Sequence, residues 1–333
     1  MLRAVEDLPD GPEDVRVSSG SAAVLGLAAL RVEVPPTTAY LMVGERCSMD
    51  CGFCAQARSS TARADQLSRV VWPRYPLSAV VPRIAAAFAS GAIARCCLQV
   101  VATPGHADRT RAVVRAMRRG SAVPLCVCTR ASGLEDVGEL LALGVERVTL
   151  ALDAASEHVY NRVKGRHWER FSGLLREAAR AYPGRIGTHL IIGLGETEAE
   201  AAAFLQEMHD LGVLTALFAF TPVPGTALEG EQPPSEVSYR RCQVARYLIV
   251  NGLARAEQFR YSAKGEIASY GVPAGVLEEV LRTGEAYRTS GCSGCNRPFY
   301  NERPGGPLYN YPRPLSPAEA EAATALVMAS LTH

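Results

Sequence analysis

From residue 37 onward, short runs of β-type residues alternate with longer runs rich in Ala, Leu and Arg. Short runs of this kind are typical of strands, and longer periodic runs are typical of helices. The predicted strands cover residues 39–43, 95–101, 124–129, 147–152, 187–192, 215–220, 258–262 and 286–290. The predicted helices cover residues 77–89, 107–119, 134–143, 168–182, 198–211, 236–252 and 317–331.

Eight strands separated by helices predict an α/β protein whose parallel sheet closes into a (βα)8 barrel of the TIM type. Right-handed crossovers make that closure natural, and a doubly wound open sheet is the structural alternative. Residues 1–36 are expected to form an N-terminal extension and residues 37–290 the barrel. Residues 291–333 are expected to form a cysteine-bearing loop and a closing helix.

The length, hydrophobic content and net charge of the chain limit the kinds of protein and partner that are expected. With 333 residues and 48% hydrophobic content, the chain can bury the core of one large barrel. Its net charge of +1 gives no electrostatic reason to expect nucleic acid or a membrane surface as a partner. The longest early apolar run, residues 22–30, is too short to span a bilayer, and the segment before it is acidic. We therefore expect a soluble, cytoplasmic protein.

Three cysteines, Cys47, Cys51 and Cys54, follow the first predicted strand with the spacing C-x3-C-x2-C. One short loop of this kind can wrap one metal centre, and three ligands leave one iron of a cubane without a protein ligand. The competing interpretation is a zinc loop, which would need a fourth ligand close by. No His or Cys follows until Cys96, so an iron–sulfur cluster is favoured.

A second pair, Cys292 and Cys295, has the spacing C-x2-C and comes directly after the last predicted strand of the barrel. Active-site groups of a parallel barrel collect at the carboxyl ends of its strands, so we expect this pair at the active mouth. A second metal cluster is the favoured interpretation, and zinc is its main competitor. The other cysteines of the chain are expected to pack as small apolar side chains, and Cys126 and Cys128 should share one face of their strand.

Other candidates also stand where predicted strands end. Asp153 ends the fourth strand, where its carboxylate can bind the two hydroxyls of a ribose or cap the next helix. Gly193 and Gly195 follow the fifth strand and let backbone approach a flat ring closely. Glu196 is expected to be a cap or hydrogen-bond anchor rather than an acid catalyst. Phe53, just before Cys54, can pack on an adenine ring or shield the cluster from water.

The cysteine loop, with an aromatic residue before its third cysteine, resembles that of the radical S-adenosylmethionine (SAM) enzymes. Residues 37–290 resemble the biotin-synthase branch of that superfamily, through Asp153, the turn at 193–197 and the strand that holds Arg260. The resemblance implies a 4Fe-4S cluster whose open iron binds SAM. It further implies that SAM is contacted by Phe53, Asp153, Gly193, Gly195 and Glu196. Arg170 is a candidate for binding the methionyl carboxylate, and the alternative is a solvated arginine on its helix.

Biotin synthase also carries a second, sulfur-donating cluster, held by cysteines on strands two, three and five and by an arginine on strand seven. Cys97, Cys126 and Arg260 match three of those places, with Cys128 as a further candidate. Gly187 stands where the strand-five cysteine would be, and that departure argues against biotin synthase itself. Cys292 and Cys295 are additional, and they suit an auxiliary 4Fe-4S cluster.

The segment from Cys292 to Pro304 resembles the two-protein lipoyl synthases of archaea and some bacteria. That resemblance implies a sulfurtransferase that inserts sulfur into an unactivated C–H bond of a protein-bound octanoyl chain. It implies that a radical made from SAM takes the hydrogen atom and that a cluster sulfide captures the carbon radical. The implied partners are a lipoyl carrier domain or glycine cleavage H-type protein carrying octanoyl-lysine, a ferredoxin or flavodoxin as reductant, and a second radical SAM protein.

Other functions remain open on the same residues. A biotin-synthase-like reaction, or a rearrangement of the methylornithine synthase type, would use the same barrel. A non-catalytic metal-binding scaffold with zinc at Cys292 and Cys295 is a third hypothesis. Two cubanes per chain favour sulfur insertion and one favours a rearrangement, whereas formation of 5′-deoxyadenosine would exclude the scaffold.

Overall fold

The computed structural model describes residues 14–302 and 307–331. The first thirteen residues of the predicted extension, and residues 303–306 and 332–333 of the predicted C-terminal segment, lie outside the described residues.

The described chain contains twelve strands and ten α-helices. The strands are β1 (Asp14–Val17), β2 (Thr38–Val43), β3 (Gln66–Leu67), β4 (Val70–Val71), β5 (Arg74–Pro76), β6 (Arg95–Val100), β7 (Leu125–Cys128), β8 (Arg147–Thr149), β9 (Ile186–Ile192), β10 (Leu214–Ala219), β11 (Arg260–Tyr261) and β12 (Ile267–Ser269). The helices are α1 (Ser19–Val24), α2 (Leu77–Ala89), α3 (His106–Gly120), α4 (Leu134–Ala142), α5 (Glu157–Lys164), α6 (Trp168–Ala181), α7 (Glu198–Asp210), α8 (Glu236–Val250), α9 (Ala274–Thr283) and α10 (Pro317–Met328). Two 3-10 helices cover Ala256–Gln258 and Glu285–Tyr287.

The central sheet has eight strands in the order β10-β9-β8-β7-β6-β2-β1-β5. Neighbouring strands from β2 through β6 to β10 run parallel, and β1 and β5 add an antiparallel edge. The prediction of an α/β fold with a mostly parallel sheet is therefore confirmed. Among the described residues no strand pairing joins β10 to β5, so hydrogen-bonded strands alone do not complete a ring.

The two last predicted strands are not part of this sheet, and that part of the prediction is wrong. β11 pairs with β12 in a separate antiparallel ribbon. Residues 286–290 begin within the 3-10 helix Glu285–Tyr287, and Arg288 makes only an isolated bridge with Tyr311. β-type residues indicate a half-buried extended segment but do not identify its partner, which explains the error.

Side chains alternate between two environments along each parallel strand. On β6, Cys96 and Leu98 point to the helices and are fully buried in the main apolar core. Cys97 and Gln99 on the same strand point to the opposite face and line an interior cavity. The helices thus cover the outside of the sheet, and the inward face is left for the site.

The segment of residues 289–302, here called the strap, joins the free edge of β10 to the beginning of β2. The backbone N–H of Leu217 on β10 donates to Ser290 Oγ at 2.8 Å. At the other side Asn296 Oδ1 accepts from the N–H of Thr37 at 2.9 Å. The strap therefore occupies the place where the last two predicted strands were expected.

In the part of the chain that the structure describes, every helix is too short or too polar to cross a bilayer.

A buried ion pair ties the helix after the glycine turn to the rest of the fold. Glu198 at the start of α7 accepts two hydrogen bonds from the guanidinium of Arg241, at 2.8 and 2.6 Å, and one from the N–H of Ile267 at 2.7 Å. Both side chains are less than a tenth exposed. Removing one partner of such a pair leaves an uncompensated buried charge.

Arg241→Met is expected to lower the free energy of unfolding by about 3–5 kcal/mol, because Glu198 then stays buried without its cation. The matched control is Arg282→Met on α9, whose pair with Glu279 is 72% and 61% exposed. An exposed pair contributes less than about 1 kcal/mol. Urea titration followed by circular dichroism measures both, and equal effects would contradict the prediction.

Candidate active site and metal centres

An interior cavity of about 300 Å³ runs along the inward face of the parallel strands. Side chains two residues apart on a strand point to the same side, and Cys126 and Cys128 on β7 both line this cavity. The predicted common face of these two cysteines is therefore confirmed. Aromatic side chains such as Phe218 and Tyr300 make much of the remaining wall apolar.

The first cysteine loop follows β2 at the carboxyl ends of the parallel strands. Its backbone is fixed from several sides: Ser48 N–H donates to Ala102 O at 2.8 Å, and Gly52 N–H donates to Val163 O at 2.8 Å. These partners lie after β6 and near the end of α5. The loop is thus held where active-site groups of a parallel sheet collect.

The three thiols of this loop, Cys47, Cys51 and Cys54, form one electrostatic group. Burial raises the pKa of Cys51 to about 11, with the charge of Cys47 adding to it. Burial raises the pKa of Cys54 to about 12, with Cys51 and Cys47 adding to it. Thiols in this environment become thiolates only beside a compensating positive charge, which a metal supplies.

No three Cys, His, Asp or Glu side chains of the described residues already stand in metal-ligand geometry. The donor chemistry nevertheless fits an iron–sulfur cluster, because Cys47, Cys51 and Cys54 are mutually close soft ligands on one loop. Iron–sulfur clusters are held by such thiolates.

A smaller cavity of about 160 Å³ adjoins the first cysteine loop. Cys47, Cys51, Arg130 and Lys164 line it together with Tyr160. The wall of this cavity therefore places two cationic side chains beside the thiols. Such cations suit an anionic group of a ligand.

Asp153, beside the first cysteine loop, has a left-handed backbone conformation, with φ of +65°. Its Oδ2 accepts from Lys164 Nζ at 2.7 Å, and its carboxylate lines the larger cavity. The next helix, α5, begins at Glu157 after Ser156, so Asp153 is not its N-cap. The expectation of a ribose contact stays a prediction, now with Lys164 as the partner of the carboxylate.

His189 faces Asp153 from β9, with Nδ1 3.9 Å from Oδ1. Burial lowers the pKa of His189 to about 4, with Arg297 and Lys164 also lowering it against the opposing effect of Asp153. The imidazole is therefore neutral at pH 7. Sequence reasoning missed both His189 and Lys164, although His189 stands inside a predicted strand.

The glycine turn is held by Glu196, as expected for a hydrogen-bond anchor. Its carboxylate accepts from the N–H of Gly193 at 2.7 Å and from that of Leu194 at 3.0 Å. A Cβ on Gly193 would lie 2.7 Å from Pro234 Cδ, and one on Gly195 would lie 2.7 Å from Arg162 Nη2. The close approach that these glycines permit is thus to the chain itself, and neither glycine lines the two cavities described above.

The two remaining SAM-contact candidates are placed differently from each other. Phe53 lines the larger cavity beside Cys54, as expected. Arg170 is exposed on α6 and donates to Ser132 O at 3.3 Å, so the structure does not bring it to either cavity. Arg130 lines the smaller cavity instead, with its guanidinium 4.7 Å from the ring centre of Phe171. Its place directly after a predicted strand is the sequence signal that could have found it.

The second cysteine pair lies at the amino-terminal end of the parallel strands, opposite the first loop. Thr37, which precedes β2, donates from Oγ1 to Gly294 O at 2.5 Å. Arg95, the first residue of β6, donates from Nη1 to Ser293 O at 2.9 Å. The expectation that this pair lies at the active mouth is therefore wrong, because the strap, not an eighth strand, carries it.

Four cysteines, Cys97, Cys126, Cys292 and Cys295, line the interior cavity. The Sγ atoms of Cys126 and Cys292 are 3.5 Å apart although the residues are 166 positions apart in the chain. Burial raises the pKa of Cys97 well above its ordinary value, and the charges of Cys292, Cys128 and Cys295 add to the rise. Four cysteine sulfurs are the usual donor set of a 4Fe-4S cluster.

Two of the auxiliary-ligand candidates fall outside this group. Arg260 is exposed on β11, in the separate ribbon, and the prediction that it is a ligand is wrong; Arg95 is the arginine beside these thiols. Cys128 lies two residues further along β7 and lines both cavities, between the two cysteine groups. Cys96 and Cys242 are fully buried in the core, as predicted.

Cys126→Ala is expected to reduce bound iron and labile sulfide to the content of one cluster, because it removes one of the four cavity-lining thiols that a second cluster would use. Cys128→Ala is expected to keep the wild-type content, and Cys242→Ala serves as a buried control on α8. Chemical determination of iron and sulfide after anaerobic reconstitution measures all three. Wild-type iron in the Cys126 variant would contradict the assignment.

Comparison with known proteins adds the family context. The model of the Radical SAM superfamily matches residues 41–208, which is half of the chain. The FeFe-hydrogenase maturase HydG from Carboxydothermus hydrogenoformans is similar in structure, with a TM-score of 0.51, 16% identity and coverage of 88% of this chain and 78% of that one. Another HydG crystal structure has a TM-score of 0.52 and 14% identity over 64% of this chain, which spans only 50% of that protein's length. Identities this low show the fold alone.

Proposed function

The chain belongs to the radical SAM superfamily, and from this premise we propose that it is a sulfurtransferase that inserts sulfur into an unactivated C–H bond. The observation that carries the proposal is the four-thiol group at the amino-terminal end of the cavity. Cys126 and Cys292 meet there at 3.5 Å, while Cys54 lines the same cavity at its other end. A substrate between the two cysteine groups would face a hydrogen-abstracting centre on one side and a sulfur source on the other.

Enzymes of this superfamily use a 4Fe-4S cluster and SAM, and Cys47, Cys51 and Cys54 would hold that cluster here. When bound, the two groups supply the one-electron chemistry that removes a hydrogen atom from the substrate. Side chains from both cavities beside the first cysteine loop would fit SAM. Arg130 would bind its carboxylate, and Asp153 its ribose hydroxyls. Phe53 would pack on its adenine, and the contact of the turn around Glu196 with that ring stays a prediction.

The auxiliary cluster would be held by Cys97, Cys126, Cys292 and Cys295. The strap brings the last two of these to the strands that carry the first two. Each of these thiols faces the interior cavity, so a cluster on them would be reached by a substrate inside it.

We propose an aliphatic acyl chain, most simply the octanoyl chain of a carrier protein, as the substrate. The support is the apolar wall of the larger cavity, formed by side chains such as Ile191, Phe218 and Phe220. Burying each methylene of a ligand there contributes about 0.8 kcal/mol. We further propose a lipoyl carrier domain or H-type protein as the carrier, a ferredoxin or flavodoxin as reductant, and a second radical SAM protein as a partner.

The decisive experiment incubates reconstituted protein with SAM, a reductant and an octanoyl-lysine peptide. We expect 5′-deoxyadenosine and a peptide whose mass has increased by one sulfur atom. Cys126→Ala should still cleave SAM but yield no thiolated peptide, because only the sulfur source is lost. A rearranged product without added sulfur, or sulfur transfer at the wild-type rate in the Cys126 variant, would overturn the proposal.

Arg130→Ala is expected to weaken SAM binding roughly ten- to a hundredfold, the loss of one charge-assisted hydrogen bond. Arg170→Ala is the matched control, because Arg170 contacts the same Phe171 ring from the exposed side. Calorimetric titration of the reconstituted protein with SAM gives both dissociation constants. A loss confined to the Arg170 variant would restore the prediction made from the sequence.

A further inference from the structure

Asp153 is held in place through both its backbone and its side chain. Its N–H donates to His189 O and its carbonyl accepts from the N–H of Ile191, each at 2.9 Å, so β9 fixes the left-handed backbone. Lys164 Nζ donates to its Oδ2 at 2.7 Å. The carboxylate and the ammonium belong to side chains that are only 12% and 10% exposed. The carboxylate therefore has a fixed place in the wall of the larger cavity.

Lys164 is itself anchored on the chain. It is the last residue of α5, and the carbonyl of Val163 beside it accepts from the N–H of Gly52 in the first cysteine loop at 2.8 Å. Its Nζ donates a second hydrogen bond, to Ala151 O at 2.7 Å, and lies 5.3 Å from the ring centre of Tyr160. The ammonium is thus held by α5 and by the segment after β8 together.

The two cations that line the smaller cavity are in different electrostatic surroundings. Lys164 uses two of its three N–H donors within the chain, and the carboxylate of Asp153 offsets its charge. Among residues 14–302 and 307–331, no carboxylate lies at ion-pair distance from Arg130, whose guanidinium contacts the ring of Phe171 instead. Arg130 is therefore the cation of this cavity that is left for a carboxylate of a ligand.

We propose that Lys164 is a positioning residue, which orients the Asp153 carboxylate toward the ribose hydroxyls of SAM and does not itself bind the methionyl carboxylate. With Oδ2 engaged by Lys164, Oδ1 is the oxygen that accepts from a ribose hydroxyl. Nδ1 of His189 lies 3.9 Å from Oδ1, beyond hydrogen-bond distance. A recognition group of this kind depends on neighbours that fix its orientation. The inference rests on the SAM site of the proposed function and not on sulfur transfer.

A buried ion pair can also serve stability alone. In that case the loss of Lys164 would lower the free energy of unfolding and would weaken all ligands of the cavity alike. A positioning role instead makes the effect depend on one group of the ligand, the ribose 2′-hydroxyl. The test therefore varies the ligand and the protein together.

The first test measures the binding of 5′-deoxyadenosine and of 2′,5′-dideoxyadenosine to the reconstituted full chain by calorimetric titration. Both ligands lack the methionyl carboxylate, and they differ only in the 2′-hydroxyl. We expect the wild type to prefer 5′-deoxyadenosine about tenfold or more, as for a hydrogen bond to a charged group. Lys164→Met should reduce this preference to about threefold or less, because the carboxylate loses its orientation. Equal dissociation constants in the wild type, or an unchanged preference in the variant, would overturn the inference.

Arg130→Ala is the matched control, because Arg130 lines the same cavity as Lys164. It should weaken the binding of SAM and leave the dissociation constant of 5′-deoxyadenosine within about twofold of the wild-type value. Lys164→Met should weaken both ligands by a similar factor, since both carry the same ribose. If Lys164→Met weakened SAM alone, Lys164 would be a ligand of the methionyl carboxylate and the inference would be wrong.

Urea titration followed by circular dichroism shows whether each variant is folded. If Lys164→Met does not fold, Lys164→Gln takes its place, because its amide still donates a hydrogen bond but carries no charge. The preference for 5′-deoxyadenosine then decides in the same way. None of these measurements requires sulfur transfer. Binding as expected without any thiolated peptide would therefore refute the proposed function and leave the role of Lys164 standing.

Discussion

Sulfur atoms that line a largely apolar cavity cannot carry charge unless a cation lies beside them, and this constraint governs the whole interior. Burial, with the charges of Cys51 near Cys54 and of Asp153 near Cys128 adding to it, raises the pKa of both Cys54 and Cys128 to about 12. A protein that places so many thiols along one cavity leaves them as inert neutral groups or supplies metal to them. The spacing of Cys47, Cys51 and Cys54 and the contact between Cys126 and Cys292 mark the thiols that we propose as metal-binding positions.

The parallel sheet gives the two groups opposite positions. The loop after β2 collects its thiols at the carboxyl ends of the strands, and the strap brings Cys292 and Cys295 to the amino ends. The interior cavity therefore has one cysteine group at each of its two ends. The strap has this effect because it bonds to the edge of β10 and to the residue before β2 at the same time.

The sequence allowed good predictions wherever a local rule decides the outcome. Period-two alternation correctly placed Cys126 and Cys128 on one face of their strand, and spacing alone singled out the first cysteine loop. Prediction from the sequence failed where a partner that is distant along the chain determines the position of a segment. Residues 258–262 have the composition of a strand but pair outside the main sheet, which takes Arg260 away from the thiols. Arg130 and Arg170 contact the same ring, and only the packing of α6 determines which one faces the cavity.

The contact between Cys126 and Cys292 spans 166 positions of the chain, and it has a consequence for biosynthesis. Cys97 and Cys126 lie in the first half of the chain, whereas Cys292 and Cys295 lie near its C-terminus, so the ribosome makes two of the four sulfurs well before the other two. Assembly of the proposed auxiliary cluster therefore has to wait until the C-terminal residues have been synthesised.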